Sequence, residues 1–192
     1  MNIFGHVSVF ISIVLGLAVV HLLSGLSLIL DTRVRTKVYW LHLVWTANML
    51  LTVILVWLSS FVLAPLEHIG MLHFLNLVAY AVVTYLMCGL LFPVRGEEVT
   101  DFREHFAANR FRFFALGILF VLVDAADGAL ELLTTDTPLD VGQFGTLAVW
   151  LLVFAWGLRD DREGYNGLAA VVYLVGLIGW MVSLVQTGVL VS

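Results

Sequence analysis

Residues 4–30, FGHVSVFISIVLGLAVVHLLSGLSLIL, contain no aspartate, glutamate, lysine or arginine. A helix rises about 1.5 Å per residue, and about 20 apolar residues cross the ~30 Å hydrocarbon core of a bilayer. The run is continuous, not alternating, so it reads as a spanning helix and not a barrel strand. It begins almost at Met1, lacks a basic leader and a small-residue cleavage site, and is too long for a signal-peptide core. It is therefore expected to stay in the membrane.

Working outward, the same pattern recurs. Further apolar segments fall near 39–63, 70–92, 110–133, 141–158 and 165–190, joined by short connections. The expected fold is an all-α integral membrane protein: a single transmembrane domain over 1–192 built as a six-helix bundle. Composition agrees. The 192 residues are 61% hydrophobic and 12% charged, against roughly 25% charged in soluble domains. The single cysteine, Cys88, leaves no disulfide framework and no cysteine-pair metal motif. Without a basic tail, nucleic acid is not an expected partner.

The nine basic residues set an orientation. Arg33, Arg35 and Lys37 lie in the first connection, Arg95, Arg103, Arg110 and Arg112 in or beside the third, and Arg159 and Arg162 in the fifth. The second and fourth carry Glu67, Asp136 and Asp140 instead. Basic loops stay cytoplasmic, so both termini are expected outside, with three cytoplasmic hairpins. In the third connection, VRGEEVTDFREHFAANR, Asp101 and Glu104 have capping-box spacing. A short interfacial helix is expected there, running on into the fourth span. Spans 1, 3 and 5 each close on Gly-Leu followed by arginine (Gly25, Gly89, Gly157), which we attribute to helix-end chemistry.

The fourth span, FVLVDAADGALELL over 120–133, carries Asp124, Asp127 and Glu131 with no lysine or arginine among them. At about 100° per residue the three lie within about 60° of one another, on one stripe. A charge at the bilayer centre costs on the order of 2.5–3.5 kcal/mol even on insertion scales. The acids should therefore face the bundle interior or a water-filled cavity, protonated, balanced by a cation, or paired with a histidine. Counting helical rise from the basic ends puts His21 at a similar depth, with Asn48, Asn76, Thr84 and Ser24 as supporting polar groups. The competing account is hydrogen bonding that holds helices together, worth about 0.6 kcal/mol per contact on average. Gly128 lies about 40° from Asp124 on the same face, a place of close approach.

The leading functional expectation is a channel or transporter for protons or small cations, with Asp124, Asp127, Glu131 and His21 as the ion- or proton-binding set. An alternative is a non-transporting accessory or sensor protein that binds a partner through its cytoplasmic loops. A further alternative is a redox subunit holding haem or quinone. His21 and His42 differ in depth by roughly 10 Å on a helical count, which argues against a bis-histidine haem, so no cofactor is expected. Retinal is excluded because the only lysine, Lys37, lies in a loop. His6, His68 and His73 near the outer ends are weak metal candidates only, since their spacing does not share a helical face. No nucleotide loop, metalloprotease motif or nucleophile elbow occurs, and Ser24 beside His21 is a structural pair, so no enzyme is expected. The small-residue ladder Ser8, Ser12, Gly16 and the pairs Ala125/Ala129 and Gly179/Ser183 suit close helix packing and a homo-oligomer. The overall look resembles small bacterial membrane proteins. That places the chain in a bacterial inner (plasma) membrane and implies no activity.

Overall fold

The structure is a computed structural model describing residues 3–31, 36–60, 70–93, 101–134 and 141–186. It is all-helical: α1 Ile3–Leu30, α2 Trp40–Ser59, α3 Met71–Leu91, α4 Phe102–Thr134, α5 Val141–Arg159 and α6 Glu163–Gln186. Every helix except α5 is long and apolar enough to cross a membrane. α5 is the shortest, at 19 residues. Arg33, Arg35, Arg95, Glu67, His68, Asp136 and Asp140 lie outside the described residues, as do the side chains of His6 and Glu131.

Helix ends follow local chemistry. Phe92 precedes Pro93, and a proline ring clashes with an α-helical conformation at the residue before it. Phe92 is accordingly extended, with φ −124° and ψ 149°, and α3 stops at Leu91. α4 begins eight residues before the expected span because the connection before it is already helical. Asp101 caps its start, its Oδ1 accepting from the Arg103 backbone N–H at 2.9 Å. The expected interfacial helix and the fourth span are one uninterrupted helix of 33 residues.

α2 sits in the middle of the bundle and touches α1, α3, α4 and α6, while α1, α3, α4, α5 and α6 succeed one another around it. The hairpin partners expected from the sequence are not always the main packing partners: α1 packs more on α3 than on α2, and α6 more on α2 than on α5. For the α2–α6 pairing the reason lies in the polar residues of α2. His42, Thr46, Asn48 and Thr52 are all buried, and hydrocarbon offers them no partner. His42 Nε2 meets the Leu91 carbonyl at 2.6 Å. Asn48 donates to the Ala170 carbonyl at 2.9 Å. The Thr52 and Tyr173 hydroxyls lie 3.1 Å apart. Thr46 donates back to the His42 carbonyl at 2.8 Å and Thr52 to the Asn48 carbonyl at 2.9 Å. α2 is thereby tied to both α3 and α6.

α4 and α5 interlock through two reciprocal contacts. Phe154 of α5 lies over Gly117 of α4, and Phe114 of α4 lies over Gly157 of α5. A Cβ at either glycine would overlap the facing ring. At the end where the described basic residues gather, Lys37 pairs with Asp101 at 3.5 Å and Arg103 with Glu163 at 2.9 Å. Trp40 Nε1 also donates to Glu163, at 3.0 Å. The loop after α1, the start of α4 and the start of α6 are thus closed against one another.

Candidate functional site

A cavity of about 540 Å³ opens between α3, α4, α5 and α6. Asp124 of α4 is in its wall, with Tyr80 from α3, Phe120 from α4, Trp150 and Gln143 from α5, and Tyr173 and Trp180 from α6. Among the described residues no lysine or arginine lines it.

Local packing explains the shape. Tyr80 and Phe120 stack across the α3–α4 seam, with centroids 4.6 Å apart and planes 25° apart. On the other side Trp150 and Tyr173 meet edge to face at 4.7 Å across the α5–α6 seam. Trp150 rests on Gly176, where any Cβ would overlap its ring. The Tyr80 hydroxyl is close enough to the Asp124 carboxylate to interact with it. The Tyr173 hydroxyl is engaged with Thr52. Thr146 and Ser183, also in the wall, donate to carbonyls of their own helices, Gly142 at 3.0 Å and Trp180 at 2.9 Å. Asp124 is thus the acid in a lining that is otherwise mainly aromatic and apolar, with Gln143, Thr146 and Ser183 as further polar side chains.

The acidic stripe divides. Asp127 neither lines the cavity nor faces inward as expected: it is exposed at the α3–α4 seam, where its Oδ1 accepts from Asn76 Nδ2 of α3 at 3.1 Å. His73 lies within electrostatic reach of it. Gly128 is buried and faces Gln143, whose Nε2 would stand 3.4 Å from a Cβ there, so it serves helix contact. Glu131 belongs to α4, but its side chain is outside the described residues.

His21 is not brought to the acids. Its ring packs edge-on to Phe92 with centroids 6.4 Å apart, at the far end of α3 from Asn76. Tyr80, beside Asp124, is twelve residues up α3 from Phe92, about 18 Å at helical rise. The depth count from the charged end of the first span misplaced His21, because α1 meets the end of α3 at Gly25, where Phe92 covers the glycine. One turn from that contact is His21. His42 also packs on Phe92, at 4.7 Å, and stacks on Phe102 at 4.7 Å. The Phe92 ring thus packs against both histidines. Nε2 of His21 and Nδ1 of His42 are buried without a hydrogen-bond partner.

The supporting groups scatter. Asn76 serves Asp127. Thr84 donates to the Tyr80 carbonyl at 2.7 Å and so steadies the turn that carries Tyr80. Asn48 serves the α2–α6 seam, one turn from Thr52. The Ser24 carbonyl accepts from Ser27 at 2.7 Å, and Ser24 is exposed. Among the described residues no group of three histidine, cysteine or acidic side chains is placed to hold a metal. Of the small-residue ladder, Ser12 accepts from Trp57 Nε1 at 3.1 Å, while a Cβ at Gly16 meets nothing within 4 Å.

No family model, curated protein or solved structure matches the chain. Its function is therefore argued from the site alone.

Sequence reasoning missed the aromatic half of the site. Tyr80, Phe120, Trp150, Tyr173 and Trp180 sit on four helices and read individually as lipid-facing or core residues. The available signal was Gly176, a glycine in the middle of an apolar helix, which marks a place where a large ring approaches the backbone.

Proposed function

We propose that this chain is a membrane channel or transporter for protons or small cations, with Asp124 as its central charge-bearing group. The observation that carries this is Asp124 in the wall of a cavity of about 540 Å³ with no basic residue among the described residues of the lining. A carboxylate in such a place is neutral with a proton or charged beside a cation. Either state makes occupancy of the cavity respond to protons or cations. Asp127, held by Asn76 at the α3–α4 seam, is the second group of the relay. His21 drops out of the central set because Phe92 holds it near the opposite end of the bundle.

In this proposal α5 is a sixth span. Its 19 residues extend about 28 Å at helical rise, close to the thickness of the hydrocarbon core. The basic end is cytoplasmic and both termini are outside. The cavity then lies toward the outer side of the membrane.

The test is flux into proteoliposomes under imposed pH, Na⁺ and K⁺ gradients. Wild-type protein should carry one of these, and Asp124→Asn should lower the rate by about ten-fold or more, with unchanged elution and helicity. Equal flux in wild type and Asp124→Asn/Asp127→Asn would overturn the proposal.

A further inference from the structure

The cavity is too large and too apolar for a bare inorganic ion. Hard metal cations are held by several oxygen ligands at close range, six to eight for calcium. Here one carboxylate shares the wall with Gln143 and with the Thr146 and Ser183 hydroxyls, which donate to carbonyls of their own helices, and the rest of the lining is mainly aromatic and aliphatic. A volume of about 540 Å³ falls within the roughly 300–1,000 Å³ of sites that enclose a small organic molecule.

The arrangement of rings narrows the class. Tyr80 and Phe120 form one stacked pair from α3 and α4, and Trp150 and Tyr173 a second pair from α5 and α6. Phe154 and Trp180 add two further rings, and Asp124 the negative charge. Aromatic faces carry negative quadrupole potential and attract cations, most strongly quaternary ammonium groups that shed little hydration. A carboxylate without a basic neighbour repels anions and leaves a neutral ligand facing an unbalanced charge or an idle acid.

We propose that the α3–α6 cavity binds a small organic cation, a quaternary ammonium or lipophilic amine, with its charge at Asp124 and its alkyl groups against the Tyr80, Phe120, Trp150, Tyr173 and Trp180 rings. This rests on the cation-handling function proposed above and names the class of cation. Gly176 belongs to the same design, because it lets Trp150 lie back against α6 and leaves the space between the ring pairs open.

The experiment is calorimetric titration of the purified full-length chain in detergent with tetrapropylammonium, heats from empty micelles being subtracted. Na⁺ is titrated in parallel. The expected result is saturable binding of tetrapropylammonium at one site per chain, weakened about ten-fold or more by Asp124→Asn. Trp180→Leu, a milder change at the half-buried edge of the cavity, should weaken it by roughly 2- to 30-fold, the range expected for losing one cation–ring contact. Both variants are first checked for wild-type elution and circular dichroism. Absence of saturable binding by folded wild type, or equal affinity in wild type and both variants, would overturn the inference. The outcomes separate from those of the flux test. Asp124-dependent proton or Na⁺ flux without tetrapropylammonium binding leaves the transport function standing and removes this site. Asp124-dependent binding without flux of any ion supports this site and removes transport.

Discussion

Trp150 of α5 lies directly on Gly176 of α6, so closely that a methyl group at that glycine would overlap Cζ2 and Cη2 of the indole. The contact sets the width of the cavity, since the same indole forms its wall beside Tyr173. Gly176→Ala should therefore push Trp150 toward Asp124 and fill the space. Overpacking of this kind costs typically 1–3 kcal/mol. We expect a lower melting temperature in detergent together with weaker tetrapropylammonium binding. Adding Trp150→Leu should restore much of the stability but not the binding. A Gly176→Ala variant with wild-type melting and wild-type affinity would show that the ring has room to move elsewhere.

Asn76 and Asp127 join α3 to α4 by one hydrogen bond at 3.1 Å. Polar contacts between membrane helices couple by about 0.6 kcal/mol on average and about 1.7 at most. A double-mutant cycle with Asn76→Leu and Asp127→Leu, read by unfolding in mixed micelles, should give a coupling within that range. Asn76→Leu alone should also slow flux, because it releases the second carboxylate from its position. A coupling indistinguishable from zero would make the bond incidental.

Much of the scaffold was legible in the sequence because hydrocarbon leaves few choices. A long apolar run must be a helix, and the boundary at Phe92–Pro93 follows from sterics two residues long. Asp124, too, stood out, since an acid in such a run is costly against lipid; the same rule misjudged Asp127, which is exposed beside Asn76. Depth counting failed at His21 because it assumes that every helix enters the membrane at its nearest charge. The actual reference is where helices touch, and Gly25 beneath Phe92 fixed that level for α1. The aromatic walls were illegible for a different reason. Tyr80, Trp150, Tyr173 and Trp180 come from three different helices, α3, α5 and α6, and an aromatic residue in an oily span has no cost that betrays its partner.

The reciprocal ring-on-glycine contacts of α4 and α5 predict a stability defect confined to that seam. Gly117→Ala would run into Phe154, and Gly157→Ala into Phe114. Each should destabilise by about 1–3 kcal/mol. Gly117→Ala combined with Phe154→Leu should recover more than half of the loss, as the smaller side chain clears the new methyl. Thermal unfolding in detergent of the three variants checks this. Additive losses in the double variant would place the strain somewhere other than this contact.

The turn between α5 and α6 should make stability sensitive to acid. Arg162 binds the Asp160 carboxylate through Nε at 2.9 Å and Nη2 at 2.6 Å, and its backbone N–H donates to the same carboxylate at 3.0 Å. The arginine side chain first, and then this backbone bond, hold the Asp160 carboxyl well below the ordinary carboxylate range. Arg110 of α4 donates to the Asp160 carbonyl at 2.8 Å, so the turn is also fastened to α4. A depressed carboxyl in the folded state adds stability that is fully present above the unfolded value of about 4. The gain fades as pH falls through the lower, folded value. Melting temperature should thus hold between pH 7 and 5 and decline below about pH 4. Asp160→Asn should melt lower than wild type at pH 7, and the gap should narrow on acidification. A gap that stays constant from pH 7 to pH 3 would assign the effect of Asp160→Asn to lost shape and not to lost charge.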